Sequence, residues 1–571
     1  MAKKSKKEPK QKSAYGLKWV FGQTKGNKHL WFFYTLTQIG LTVGNIVMAF
    51  VLKQYVDFAM GDTNLAFGTI MLMTGGLIAY ECALLLLSMY LRSMLSGKME
   101  RNLRGSFLNA IFTKNMRGIA KYHTGEMQTR LTADVTAVCE IPPNISQNIL
   151  SNVISIILAT IACFTLSWQV SLVVFIVMPV LLGIMAVFTP IMQKTAKTDK
   201  ENDEEHRTFM QEALSRLVLI KTYFMREKTV AKSDVIYAKK IKSAVRLGLW
   251  QGFATFSGNL VASAIFIAVI GYGSYLVFNG SLTIGAMITL VQLMNFIINP
   301  IANLSGHVAA INQGIASAAR IGEIFDAPRD EEYDRNLIYD ASGLCVNGVS
   351  FAYEEGDNVF TGIDAEFKKG SITGIIGKSG VGKSTLLKLL IGLFPAAEGS
   401  VELASPTKPV KNGAILPQIA YVPPSDYLFA GSVRENIIMS GAENPELLRQ
   451  CAGEANILEF VEGLPQGFDT MLGESGGTVS SGQAQRIAIA RALYKKAPVI
   501  VFDEPTANLD IESVERFRGV VKSIAKDHIC IVVTHDPGTM KICDYVYAIG
   551  NGRIAEQGAP DEISAAEEIF A

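Results

Sequence analysis

At 571 residues the chain exceeds one ordinary domain of about 100–200 residues, so at least two are expected. Charged residues are only 18% of it and apolar residues 49%, below and above the balance usual for a soluble protein. The formal net charge of +1 gives no case for a nucleic-acid partner.

In chain order, residues 1–29 form a basic arm carrying Lys3, Lys4, Lys6, Lys7, Lys10 and Lys12. A lysine-rich segment just before an apolar helix is expected to face cytoplasm and anionic lipid; a nucleic-acid tail is the weaker alternative. The first apolar run, from near Leu30, is too long for a signal core and no small-residue cleavage pattern follows it. The seven cysteines, at positions 82, 139, 163, 345, 451, 530 and 543, show no metal-like or paired spacing and read as reduced buried thiols.

Six apolar stretches follow, near 31–52, 65–91, 146–166, 169–189, 253–277 and 284–304. Each has roughly the 20 residues needed to cross a hydrocarbon core of about 30 Å. The intervening segments 92–145 and 190–252 are long, polar and helix-prone, and hold Arg92, Lys98, Arg101, Arg104, Lys194, Lys239, Lys240, Lys242 and Arg246. The short turns offer only Lys53. This bias places both termini and both long segments in the cytoplasm, the latter as extensions of the membrane helices.

The sixth apolar stretch has a polar stripe. Gln292, Asn295, Asn299, Asn303 and His307 recur at spacings of three and four, and Pro300 inside the stripe is expected to bend the helix. Amides are costly in hydrocarbon, so the stripe faces protein or water. Helix–helix bonding and the wall of a substrate cavity both account for it. Glu81, within "LIAYECALLLL", is the one acid deep in an apolar run. A membrane acid of this kind costs about 2.5–3.5 kcal/mol on insertion scales, so it either pairs with a neighbouring helix or serves the substrate.

From about Leu344, short β-rich runs alternate with helical patterns, an α/β domain. "SITGIIGKSGVGKSTLLKLLIGL" supplies strand, glycine loop and helix. Gly377, Lys378, Ser379, Gly380, Val381, Gly382, Lys383, Ser384 and Thr385 make a complete phosphate loop for ATP. Glycines let successive backbone N–H groups wrap phosphates, and the helix start adds its dipole. Lys383 is placed to reach the β/γ oxygens and Ser384 to give a hydroxyl to Mg²⁺. Downstream, "APVIVFDEPTANLD" ends an apolar strand in Asp503, a second Mg²⁺ group, with Glu504 beside it to activate water. "ICIVVTHDP" is another buried strand, with His535 at its end, in reach of a γ-phosphate.

Together these features resemble an ATP-binding-cassette half-transporter of the exporter type (type IV fold), from about residue 15 to 570. The resemblance implies a multidomain chain: the arm, an all-α six-helix membrane domain over 30–315, a linker over 316–343 and an α/β P-loop ATPase domain over 344–571. It implies that Tyr353 of "VSFAY" stacks on adenine, worth about 1–3 kcal/mol. "TMLGESGG", with Glu474, resembles the segment before the family's signature, and Asp510 of "ANLD" the dimer-contacting loop. "YHTGEMQTRLTADV" and "IKTYFMREKTV" resemble the cytoplasmic loops that press on the ATPase domains.

Two positions depart from the pattern. The family's Leu-Ser-Gly-Gly-Gln signature, which acts on the partner's nucleotide, is here Val479-Ser480-Ser481-Gly482-Gln483. Ser481 adds a Cβ where close backbone approach or positive φ is expected. Pro424 in "AYVPPSDYLF" replaces a glutamine that touches Mg²⁺ and water, with Asp426 as a candidate substitute. A lent signature altered beside an intact Lys383, Asp503, Glu504 and His535 resembles unequal pairs, so a heterodimer is expected, with a homodimer as alternative. The implied activity is ATP-driven export by alternating access in the cell membrane, of a small molecule, lipid or peptide. An exporter-fold importer and a membrane ATP sensor that moves nothing are the rivals.

Overall fold

The structure, a computed structural model, describes residues 15–330, 338–353, 358–405, 410–424, 428–439, 441–473, 479–507 and 509–570. Lys3, Lys4, Lys6, Lys7, Lys10 and Lys12 of the N-terminal arm, Asp426 and Glu474 lie outside the described residues. Contacts divide the chain into two units: one holds most residues up to Phe325, the other Ala110–His123 with the residues from Asp326 onward.

The first unit is helical. Five described segments are long and apolar enough to cross a membrane: Lys25–Met60, Phe67–Thr113, Thr124–Leu166, Arg226–Phe278 and Ile284–Phe325. The expected crossing near 169–189 falls in helix Trp168–Ser215, where several side chains lie outside the described residues. Helices Phe67–Thr113, Trp168–Ser215 and Arg226–Phe278 hold 47, 48 and 53 residues. At a rise of 1.5 Å per residue they run about 70–80 Å, more than twice a hydrocarbon core. Their polar ends are therefore extensions of the apolar runs. Leu72, Leu86, Ile176 and Ile267 stand exposed along them, as side chains bordered by lipid do.

Inside this unit, Ile46, Ala159, Ile265, Val269, Leu290, Leu293 and Ile297 form one core. A polar cluster lies below it. Asp134 accepts bonds from Ser317 at 2.8 Å and Arg320 at 2.5 Å, and Arg130 donates to Glu126 at 2.7 Å and Glu323 at 2.9 Å. Asp134 and Arg130 are both buried, and a buried ion stays folded only when its charge is paired. This cluster fastens "GEMQTRLTADV" to residues 317–323. The expected linker over 316–343 therefore begins as the end of helix Ile284–Phe325, with Ile321 and Ile324 in the core.

The second unit is α/β. Its strands are β1 Gly343–Ala352, β2 Asn358–Lys368, β3 Ile372–Gly377, β4 Glu398–Ala404, β5 Val410–Lys411 and β6 Ile419–Val422. They continue as β7 Gly431–Ser432, β8 Met471–Leu472, β9 Val499–Asp503, β10 Ile529–Val533, β11 Tyr545–Gly550 and β12 Arg553–Gly558. One sheet runs β2-β1-β4-β5 and another β12-β11-β3-β10-β9-β6, with β7-β8 apart. Every residue of β3, β9 and β10 is buried, as fits parallel strands covered on both faces. Residues 110–123 belong here for a physical reason. Arg117 donates to the Ala352 carbonyl at 3.0 Å and its guanidinium lies 5.6 Å from the Phe351 ring centre. Asn115 N donates to Pro328 O at 2.8 Å.

Candidate functional site

Parallel strands β3, β9 and β10 end side by side, so the residues just past them converge. β3 feeds the glycine loop and then helix Lys383–Leu390. Gly380 and Gly382 have φ of +85° and +102°, conformations that a side chain resists. A Cβ on Gly382 would also sit 2.7 Å from Phe360 Cζ and 2.9 Å from Val359 Cγ1. Glycine is required there by shape as well as by dihedral.

Lys383 is buried, and its ammonium donates to the carbonyls of Gly377 at 2.7 Å and Lys378 at 3.0 Å. Burial pushes its ammonium below the usual lysine range, opposed by the carboxylates of Glu504 and Asp503. Ser384 is exposed at the start of the same helix, and Ser379, Val381 and Thr385 complete the loop around it. Tyr353 shares a 2.8 Å hydrogen bond with the Thr385 hydroxyl, and its ring meets Phe351 and Phe394 edge-on, with centres 5.1 and 5.8 Å apart. The expected adenine-stacking residue is thus tied to the phosphate loop, with half its surface still open.

Asp503 closes β9 and is buried. Burial raises its carboxyl above the usual range; the Tyr421 hydroxyl and the ammoniums of Lys388 and Lys383 pull it back, while Glu504 adds to the rise. Tyr421, on β6, donates to Asp503 Oδ2 at 2.8 Å. Sequence reasoning missed Tyr421. Its signal was its position, three residues before Pro424 on a strand parallel to β9.

Glu504 is one of the few non-glycine residues with positive φ, at +46°. Its N–H donates to Val533 O at 2.9 Å, pinning the end of β9 to that of β10. Such strained residues cluster at functional sites. His535 Nε2 lies 3.4 Å from Glu504 Oε1, so the two expected catalytic side chains do meet. Next to His535, Asp536 caps a short helix through Thr539 N at 2.8 Å and binds Arg518 at 2.7 Å. This pair also escaped the sequence.

The signature begins helix Ser481–Tyr494. Ser480 caps it: its hydroxyl accepts from Gln483 N at 3.3 Å, and Gln483 Oε1 accepts from Ser480 N at 2.9 Å. Gly482 is buried, and a Cβ on it would sit 2.8 Å from Ser513 Oγ. Ser481 does not have positive φ, contrary to one of the two grounds for expecting glycine; it occupies the first helical turn, where any L residue fits. Asp510 caps the next helix, Ile511–Ile524, accepting from Ser513 N at 2.8 Å, which holds its carboxyl below the usual range. Pro424 is described and half-buried.

In the helical unit, a cavity of about 410 Å³ is lined by Asn295, Asn299 and Asn303, with His307 and, unforeseen, Asn45, Asn148 and Asn152. Asn295, Asn299 and Asn303 are exposed to it. Gln292 and Glu81 are not among its lining residues. Glu81 Oε1 is instead buried without a hydrogen-bond partner among the described residues, packed on Gly44 of helix Lys28–Met60. The apolar run does not bring it to the stripe.

Fold and site define a class: a P-loop ATPase domain fused behind a helical membrane domain. Residues 31–301 match the ABC transporter transmembrane region and residues 360–507 the ABC transporter ATPase family. The chain is 27% identical over 473 residues to an ATP-dependent lipid A-core flippase of Chromobacterium violaceum, covering 82% of this chain and 81% of that one. It is 28% identical over 504 residues to the serine protease/ABC transporter B family protein tagA of Dictyostelium discoideum, covering 86% of this chain but only 29% of that longer protein. A solved bacterial Atm1-family ABC exporter with ATP bound shares the fold at a TM-score of 0.76 and 20% identity, over 96% of this chain and 98% of that one. The chain belongs to the ATP-binding-cassette transporters, as an exporter-type half-transporter. It is a multi-pass membrane protein that binds ATP and couples its hydrolysis to transport.

Proposed function

We propose that the chain pairs with a second half-transporter, with both termini in the cytoplasm, and exports a substrate by alternating access. The carrying observation is Glu504, held at positive φ with its carboxylate 3.4 Å from His535, beside the buried Asp503. Glu504 accepts the proton of an attacking water, and His535 holds it on course towards the terminal phosphate. Lys383 neutralises the phosphates, and the loop N–H groups orient them. Ser384 and Asp503 are oxygen ligands suited to Mg²⁺, and Asp503, whose charged form burial disfavours, gains from a cation. Mg²⁺ would supply charge neutralisation at the β- and γ-oxygens.

Ser480 and Gln483, one cap at a helix start, act on the partner's nucleotide, with Ser481 and Gly482 between them and Asp510 at the dimer contact. ATP bridging the two halves favours closure, and hydrolysis releases it. Pro424 and Ser481 support an unlike partner. The helical φ of Ser481 favours a second reading, a homodimer that tolerates the substitution. ATPase activity of the chain purified alone, lost in Glu504→Gln, supports the homodimer; activity only with a companion half supports the heterodimer.

The cavity bearing Asn295, Asn299 and Asn303 is proposed as the substrate wall, with Gln292 and Glu81 as helix-packing groups. A lipid, drug, peptide or chelate meets amides there. ATP-driven accumulation inside inverted vesicles supports export. Depletion from them supports import, and nucleotide binding without any transport would identify a sensor.

A further inference from the structure

Between the long helices Trp168–Ser215 and Arg226–Phe278 lies a cavity of about 600 Å³, away from every site described above. Its charged lining is wholly basic: Lys194 from one helix and Lys239, Lys242 and Arg246 from the other. The last three share a helix face with Trp250, at spacings of three and four residues. Lys239 is paired with Glu205 at 3.2 Å. Lys194, Lys242 and Arg246 have no ion-pair partner among the described residues. Like charges gathered on one cavity repel, and a bound anion relieves that repulsion.

The surroundings say where such an anion comes from. Trp250 packs between Phe188 and Phe253, each ring centre 6.2 Å away, where the apolar runs give way to the polar extensions. Tryptophan is enriched at the membrane–water boundary. Farther from the apolar runs, the same helix pair carries a cavity of about 500 Å³ whose charged lining is Glu201, Glu204, Glu205 and Glu212 against a single basic residue, Lys232. The charge therefore reverses along the pair, basic beside the membrane and acidic beyond it. A basic recess at that depth is what an anionic leaflet attracts.

We propose that this recess binds the phosphate-bearing headgroup of an anionic phospholipid at the membrane edge. Its volume falls within the range of about 300–1,000 Å³ found for small-molecule sites. The helices it joins are the two longest of the membrane unit, so an occupied headgroup fastens them together.

Native mass spectrometry of the detergent-solubilised full chain, titrated with phosphatidylglycerol or phosphatidylcholine, tests this. A saturable phosphatidylglycerol adduct is expected, with no matching phosphatidylcholine adduct. In Lys242→Gln/Arg246→Gln its affinity should fall by roughly ten- to thirtyfold, for two charges lost near a lipid surface. Lys221→Gln/Lys228→Gln, outside the recess, should leave it unchanged. Lys194→Gln, on the other helix, gives the same direction of loss if the double variant does not fold. Equal phosphatidylglycerol binding by variant and parent, equal binding of the two lipids, or displacement by equimolar inorganic phosphate would each overturn the proposal.

Discussion

Substituting Gly382 by alanine separates two costs that the phosphate loop imposes on that position. Its φ of +102° is a conformation an L side chain rarely adopts, and the new Cβ would sit 2.7 Å from Phe360 Cζ and 2.9 Å from Val359 Cγ1. Backbone strain of this kind costs about 1–3 kcal/mol, and forcing a methyl into packed surroundings about 1–3 kcal/mol more. Phe360, on β2, is fully buried in the core, where a shift of its ring disturbs its neighbours. The loop should therefore leave its phosphate-binding shape, at a total cost of about 2–6 kcal/mol, and ATP affinity should fall at least about thirtyfold. Gly380→Ala is the internal control: φ is +85°, but nothing lies within 4 Å of its Cβ. It carries only the strain and should bind ATP more tightly than Gly382→Ala by the clash term, about 1–3 kcal/mol. Titration calorimetry with ATP on both purified variants measures this. Equal affinities for the two, or parental affinity for Gly382→Ala, would refute the reasoning.

Tyr421→Phe removes the hydroxyl that donates to Asp503 at 2.8 Å; losing one such bond, worth about 1 kcal/mol, should raise the Mg²⁺ concentration for half-maximal ATPase activity about fivefold. Ser480→Ala removes the signature helix's cap and should lower stability by about 0.5–2 kcal/mol, read as a lower thermal midpoint even without nucleotide. Asp536 is pushed up by burial, but Thr539 and Arg518 outweigh that and hold its carboxyl below the usual range. A depressed carboxyl stabilises the fold above its unfolded pKa and stops doing so as pH falls through the folded value. The gap in thermal midpoint between the parent and Asp536→Asn should thus be full above about pH 5 and shrink below about pH 4.

How much was legible in the sequence follows from what each feature depends on. The phosphate loop, Asp503, Glu504 and His535 are adjacent in the chain to buried strands, so local order alone brings them to one edge of the sheet. Tyr421 and the Arg518–Asp536 pair are joined only by tertiary packing, across 82 and 18 positions, and no periodicity signals them. The Asn295–Asn299–Asn303 stripe was visible as spacing on one helix. Asn45, Asn148 and Asn152 opposite it were not: Asn45 stands alone in its run, and Asn148 and Asn152, four apart in another, are too few to mark a stripe. Residues 316–325, expected as the start of a linker, are polar in part yet continue helix Ile284–Phe325. Their Ser317 and Arg320 spend that polarity on Asp134, which sequence distance hides. Ser481 was judged against a glycine pattern, whereas its backbone is ordinary helix.

In the proposed cycle, nucleotide state sets the arrangement of the membrane helices. Its most direct test is the distance between a spin label on the exposed Val218 and one on the corresponding loop of the partner half, in the paired, Glu504→Gln protein, with and without Mg-ATP. The distance distribution should shift to one short population when Mg-ATP is added, and revert when the nucleotide is washed out. An unchanged distribution under saturating Mg-ATP would contradict that cycle.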